Sequence, residues 1–363
     1  MEHIPENPVL YMVIGLVIIT LLVLILPFKV KRVEENLEAF FLIMGIAAVS
    51  VSGLWNWELL TEALRAPVQI GSIPIGIFQV VLVFGLLMYY FNRPFCDAVL
   101  FVSDKLRPRL FIFLFIVILG LISSIVSVIV TAVLLAEVIA ILPFSRSDKI
   151  KMTVVTCFAV GLGAALTPLG EPLSTILVHK LSGPPYNAGF LFLLRTFGIY
   201  VIPGVVAIAV FGAIYLGGKL SIKTHVHAPE HYETLRGTIM RAVEVYIFIA
   251  ALILLGEGLK PLIIWYLENI PSWGLYWINI ISAVLDNATL TAVEIGPTLT
   301  KSQIISATMA LLVAGGMLIP GNIPNIVAAG RLKISMNEWA KIGLPLGFII
   351  ITVYFVIMVL TQY

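Results

Sequence analysis

Thr167-Pro168-Leu169-Gly170-Glu171-Pro172-Leu173-Ser174 lies inside an apolar run from Met152 to Val178. Two prolines spaced Pro-x-x-x-Pro, with a glycine and an acid between them, cannot continue a helix. Each proline removes an N–H donor and clashes with the preceding turn. The run therefore reads as a membrane helix broken in its middle. The chain does this twice. Ile319-Pro320-Gly321-Asn322-Ile323-Pro324-Asn325-Ile326 interrupts the run Ile304–Gly330 with the same proline spacing. Each motif follows a glycine-bearing lead-in, Gly161 and Gly163 in one case, Gly315 and Gly316 in the other. After each comes an apolar span opened by an aromatic and a base, Phe192 with Arg195 and Trp339 with Lys341.

The composition sets the solvent. Of 363 residues, 60% are hydrophobic and 12% charged, and the mean hydropathy is +1.07. A soluble domain is about 45–50% apolar and about 25% charged. A water-soluble enzyme, a disordered chain and a fibrous chain are excluded. A net charge of +2 without a basic patch gives no footing for nucleic acid. Cys96 and Cys157 are far apart in apolar surroundings and read as inert thiols. Met1 to Glu6 has no positive n-region. The uncharged run Pro8–Phe28 is long enough to span a bilayer at about 20 residues per crossing, so it reads as a retained membrane helix.

Further apolar runs are Ala39–Trp55, Ile73–Phe91, Leu110–Phe144, Gly189–Leu216, Ala242–Leu255, Trp273–Gly296 and Ile342–Leu360. Leu110–Phe144 is too long for one crossing and short for two. If it and Trp273–Gly296 re-enter on the side they came from, with the N-terminus outside, only Arg65, Lys180, Lys260 and Lys301 face outward. Arg195 lies within a span, and the other 17 of 22 basic residues fall inside. That is the positive-inside bias. The expected fold is an all-α polytopic membrane protein of the cell (inner) membrane. It has about eight transmembrane helices, two re-entrant hairpins and two broken crossing helices, with both termini outside.

Residues 1–37 form an extra N-terminal helix and basic loop. Residues 38–216 form a first repeat, with hairpin 110–144 and broken helix 152–178. Residues 217–237 are a cytoplasmic linker. Residues 238–363 form a second repeat, with hairpin 273–296 and broken helix 304–330. The first hairpin enters from inside and the second from outside, so the repeats are inverted. Paired interrupted segments in inverted repeats point to a secondary transporter with its site near the midplane.

The hairpins carry polar tips. Ser123-Ser124-Ile125-Val126-Ser127-Val128 resembles Ser282-Ala283-Val284-Leu285-Asp286-Asn287. Asp286 and Asn287, with Thr289 and Thr291, form a hard-oxygen set suited to Na⁺. Glu171, between two prolines in a span, is the second acid, because acids within membrane segments default to functional sites. Glu137 and Glu294, on the hairpin arms, are secondary candidates. His225, His227 and His231 fall in the linker and lack the further ligands a metal site needs. Arg195 either pairs with an acid or snorkels. No G-x-S-x-G, Walker loop or H-E-x-x-H occurs, so neither an enzyme nor ATP-driven transport is expected, and no cofactor is expected.

These motifs resemble the ion transporter superfamily, which includes NhaD-type sodium/proton antiporters, arsenite permeases and sodium-coupled dicarboxylate carriers. Its marks are a hairpin tip S-x-x-x-[DSN]-N-x-T and a broken helix T-P-x-G-x-P-x-N, each appearing twice. Ser282 to Thr289 matches the tip, and its Asp-Asn pair is closest to the sodium/proton antiporter branch. The resemblance covers roughly residues 110–350 and extends to the small, largely uncharacterised putative cation-transporter members. It implies cation or proton contacts from Thr167, Ser127, Asn322 and Asn325, with Ser174 and Ser282 secondary. The first tip departs, with Ser127-Val128 where the family often has Asp-Asn or Ser-Asn-Thr. The expected function is Na⁺/H⁺ antiport by alternating access, its partners an inorganic cation, a proton and the lipid bilayer. A homodimer is compatible with this reading. The alternatives are a sodium-coupled symporter of a small carboxylate or inorganic anion, and a channel or structural membrane protein.

Overall fold

The computed structural model describes residues 4–5, 7–34, 36–69, 105–218, 235–267, 272–285, 287–297 and 299–362, with short pieces between 78 and 101. Most of the run 73–91, most of the linker 217–237 with its three histidines, and Asp286 lie outside the described residues. Among the described residues all regular structure is helical. The first half comprises α1 (Leu10–Lys29), α2 (Leu37–Ser52), α3 (Trp57–Arg65), α4 (Pro108–Val126), α5 (Val128–Ile141), α6 (Arg146–Ala164), α7 (Pro172–Lys180) and α8 (Phe192–Gly217). The second comprises α9 (Leu235–Leu267), α10 (Ser272–Ile278), a 3₁₀ turn (Asn279–Ala283), α11 (Asn287–Glu294), α12 (Lys301–Gly315), a 3₁₀ turn (Ile319–Gly321), α13 (Ile323–Leu332) and α14 (Met336–Gln362).

Among the described residues five helices, α1, α4, α8, α9 and α14, are long and apolar enough to cross a bilayer. They also expose large apolar side chains, such as Leu10 on α1, Ile199 and Ile214 on α8, and Ile349 and Leu360 on α14. Contiguous apolar exposure on this scale marks a lipid-facing surface. The chain is a polytopic integral membrane protein.

The innermost helices are those that lead into the two interruptions. Every residue from Met152 to Ala164 on α6 is buried, as is every residue from Ile304 to Gly315 on α12. A helix that is apolar all round belongs inside. Their first turns are polar and capped. Ser145 Oγ accepts from Asp148 N at 3.2 Å, and Thr300 and Gln303 form a reciprocal capping box at the start of α12.

Close approach rests on small residues, the usual device where lipid gives helices little hydrophobic drive to associate. A β-carbon on Gly45 of α2 would lie 2.8 Å from Ala251 O of α9, and one on Gly258 would lie 2.5 Å from the Ala48 side chain. A β-carbon on Gly163 of α6 would lie 1.7 Å from Gly120 O of α4. The packing also crosses between halves. Helix α2 packs on α9, α5 on α13, and α11 on α7.

The run 110–144 resolves into α4 and α5, meeting at Ser127. The first arm, at 19 residues and about 1.5 Å per residue, is long enough to cross a bilayer core of about 30 Å. The second arm, α5, has 14 residues. The two arms are thus unequal. In the second half the corresponding pair is shorter, α10 and its 3₁₀ turn followed by α11.

Candidate functional site

The first interruption is residues 165–171, between α6 and α7, and it is stitched to the bend between α4 and α5. Ser127 takes φ 88° and ψ 147°, which turns the chain without a glycine. Val128 N donates to Gly170 O at 2.7 Å, and Thr167 Oγ1 donates to Ser124 O. Thr175 Oγ1 donates to Pro168 O at 2.6 Å, satisfying a carbonyl that the break leaves without a helical partner. A β-carbon on Gly170 would lie 1.9 Å from Ala164 O, so the loop folds back on the end of α6 only with glycine there.

The second interruption, residues 316–322, folds back in the same way on different residues. Asn325 Nδ2 donates to both Gly315 O and Leu318 O at 2.8 Å. A β-carbon on Gly321 would meet Gly315 O at 2.6 Å and Ser282 O at 2.7 Å. The Ser282 hydroxyl donates to Leu311 O at 3.4 Å. Asn287, buried at the start of α11, has its amide nitrogen 3.6 Å from where a β-carbon on Gly315 would stand. Helix α6 of the first half closes the other side. Cys157 Sγ lies 3.7 Å from Pro324 O, and Asn322 Nδ2 would be 2.6 Å from a β-carbon on Gly161.

The two resumed helices start alike. Glu171 caps α7 with φ −153° and ψ 161°, and Asn322 caps α13 with φ −154° and ψ 149°. Both side chains are buried. Three residues on, Ser174 and Asn325 are both fully buried, and Ser174 Oγ and Asn325 Oδ1 have no hydrogen-bond partner among the described residues. The proline spacing sets Glu171 against Ile323. The backbone sets it against Asn322, one residue away, because helix α13 resumes at Ile323, ahead of Pro324, whereas α7 resumes at Pro172 itself. Each half thus presents, at the positive end of a half-helix, a buried side-chain oxygen at the cap and another one turn later. One cap is an acid and the other an amide. A carboxylate at such an end is favoured by the helix dipole.

The remaining sequence candidates fall in different places. Glu137 on α5 forms a bidentate ion pair with Arg331 of α13, with Nη2 to Oε2 at 2.9 Å. Glu294 ends α11 and accepts from Asn279 Nδ2 at 2.9 Å. Thr291 Oγ1 donates to Asn287 O at 2.8 Å, within its own helix. Arg195 is exposed on α8, and the side chain of Thr289 lies outside the described residues, as does Asp286. Among the described residues no group of three His, Cys, Asp or Glu side chains is placed to hold a metal ion. Sequence reasoning missed Asn279 and the role of Arg331. The available signal was that isolated charges in apolar segments seek each other.

Residues 13–361 match the model of a family described as a protein of unknown function, DUF1646. The chain belongs to that family. The match runs from α1 into the last turn of α14, so both interruptions and both bent helix pairs are family territory. No curated protein matches the chain.

Proposed function

We propose that this protein is a secondary active transporter that exchanges a cation, Na⁺ in the first instance, for protons. Two inverted repeats would supply alternating access to a site at the two helix interruptions. One observation supports this reading above the others. Two interrupted helices each put a buried oxygen-bearing side chain at the cap of a half-helix, Glu171 and Asn322. Ser174 and Asn325 follow one turn later with oxygens that have no hydrogen-bond partner among the described residues. Oxygen donors of this kind suit a hard monovalent cation. In transporters with broken helices such ions sit on the unwound carbonyls and the C-terminal ends of the half-helices, and here α6 and α12 end at the same two interruptions. The packing of α5 on α13 and of α11 on α7 supports the inverted arrangement, because each bent pair rests on the other half's resumed helix.

Glu171 is the acid at which proton and cation compete, with Asp286 as the second acid that the sequence offers. A single carboxylate that binds either ion suffices for exchange, provided that both loaded forms change access and the empty form does not. The test is transport in proteoliposomes with a pH-sensitive dye inside and Na⁺, Li⁺, K⁺ or Mg²⁺ added outside. Cation-driven alkalinisation or acidification that is lost in Glu171→Gln supports antiport. Na⁺-driven uptake of a small anion without that proton movement supports symport instead.

A further inference from the structure

The two halves treat their hairpin-arm acids differently. In the first half Glu137 on α5 is neutralised by Arg331, which reaches across from the α13 helix that α5 packs on. In the second half α11 packs on α7 in the corresponding way, and its acid is Glu294. No cation meets it. The position on α7 matching Arg331 on α13, counted from the Glu171 and Asn322 caps, is Lys180, and Glu294 is not paired with it. Glu294 accepts one hydrogen bond, from Asn279 Nδ2 at 2.9 Å, on Oε2. Its Oε1 is shut off from solvent and has no hydrogen-bond partner among the described residues, and neither has Oδ1 of the fully buried Asn279.

Among the described residues α11 packs chiefly against α7, α9 and α12, and the Asn279–Ala283 turn bonds to its last residue. The charged groups these helices carry at described positions are His179 and Lys180 on α7, Arg236, Glu244, Glu257 and Lys260 on α9, and Lys301 on α12. Lys260 is held by Glu257 at 3.0 Å, and His179 and Lys301 are exposed. None of them forms an ion pair with Glu294. A half-buried carboxylate with one oxygen shut off from solvent and no cation paired with it among the described residues is costly to keep charged, and the group is compensated by taking up an ion. Oε1 accepts no hydrogen bond among the described residues and is open to a proton, while the Asn279 amide donates to the other oxygen.

We propose that Glu294 is a proton-binding site, holding its proton on Oε1 while Asn279 steadies Oε2. It stands about 10 Å along α11 from Asn287, at about 1.5 Å per residue, and is therefore separate from the interruption site. Its occupancy does not depend on antiport. Its part in exchange rests on that reading, where it supplies a second proton on the half whose hairpin acid is not locked by an arginine.

Infrared spectroscopy of the purified protein in lipid reads the proton directly, without transport. At neutral pH the wild type is expected to show a carbonyl stretch of a protonated carboxylic acid that is lost in Glu294→Gln and shifted in Asn279→Ala, which removes the bond to Oε2. A spectrum in which Glu294→Gln leaves the acid band unchanged overturns the proposal. So does a wild type that shows only carboxylate stretches at this site, displaced by added Na⁺. If Glu294→Gln does not give folded protein by size exclusion, an unshifted band in Asn279→Ala has the same force. Proteoliposomes that fail to exchange Na⁺ for protons while this band is present sink the antiport reading alone.

Discussion

Replacing Arg331 with methionine leaves Glu137 as a carboxylate whose side chain is 5% exposed, facing the space where a guanidinium stood. Removing one member of a buried pair typically costs about 3–5 kcal/mol, because the charge left behind has lost both its partner and water. The Arg331 side chain is 21% exposed, so some water reaches the guanidinium end and the lower part of that range applies, about 3 kcal/mol. Glu137→Leu should cost a similar amount, through the stranded arginine. The double variant Glu137→Leu/Arg331→Met leaves no charge and keeps most of the volume. Such apolar replacements of buried pairs are neutral or stabilising. The double variant should therefore be more stable than either single one, and single losses of about 3 kcal/mol each with a near-neutral double amount to a coupling energy of about 6 kcal/mol, larger than ordinary contacting residues show because each single variant strands a buried charge. Thermal unfolding in detergent, followed by fluorescence or light scattering, reads this as a drop of roughly 5 °C in each single variant and near-recovery in the double. If the two single losses simply add in the double variant, the ion pair does not hold α5 to α13 and the account of how the halves join is wrong.

Gly163→Ala should destabilise by about 1–3 kcal/mol, since its new methyl must push α4 away at Gly120 O. Gly330→Ala, where a β-carbon on α13 meets nothing within 4 Å, should be neutral or stabilising by up to about 1 kcal/mol, and equal thermal shifts in the two variants would refute the close-approach argument. Glu171→Gln should abolish cation-dependent proton flux or remove its pH dependence, and wild-type behaviour in the same liposomes would reduce Glu171 to a helix cap. Cysteines placed at the exposed positions Ser147, Lys301 and Lys333, in a background lacking Cys96 and Cys157, test the orientation with an impermeant thiol reagent. Labelling of intact cells is expected at 301 alone, and outside labelling at 333 would refute the inverted topology.

Where the helices stop was legible because prolines and glycines act locally. Pro168, Gly170 and Pro172 end and restart a helix as a closely spaced set, and the same holds for Pro320, Gly321 and Pro324, whereas the single prolines Pro27, Pro203, Pro261 and Pro345 sit inside continuous helices. The membrane character was legible for a different reason: composition sums over the whole chain. What failed to show was anything decided by a partner distant in sequence. The equivalence of Glu171 with Asn322 is set by which residue begins the resumed turn, and a proline at the first or the second helical position leaves the same proline spacing pattern. Arg331 reads as a loop base that satisfies the charge bias, yet it sits in the last turn of α13 and spends its charge on Glu137, 194 residues earlier. Asn279 carries no motif at all. Its importance comes from facing Glu294 across the turn between α10 and α11. Hydropathy likewise treated 110–144 as one run. The position where it divides, Ser127, depends on hydrogen bonds from Thr167 and to Gly170 that only the folded chain supplies.

Those same contacts constrain how the molecule can move. The bend at Ser127 is bonded to the first interruption, so α4, α5 and the 165–171 loop are tied at that point. Helix α5 is in turn tied to α13 of the other half by the Glu137–Arg331 pair, and α13 begins at the second interruption. A change in the shape of one interruption therefore reaches the other through a short series of bonds and one ion pair. The opposite route, from α11 to α7, has packing without an ion pair among the described residues, and its acid accepts from the Asn279 amide. Coupling of two sites needs an element with two arrangements that both sites bias. The unlocked contact between α11 and α7 is the better place for such an element than the locked one. Adding or removing a charge at Glu294 changes the energy of that contact, whereas at Glu137 the charge is already matched.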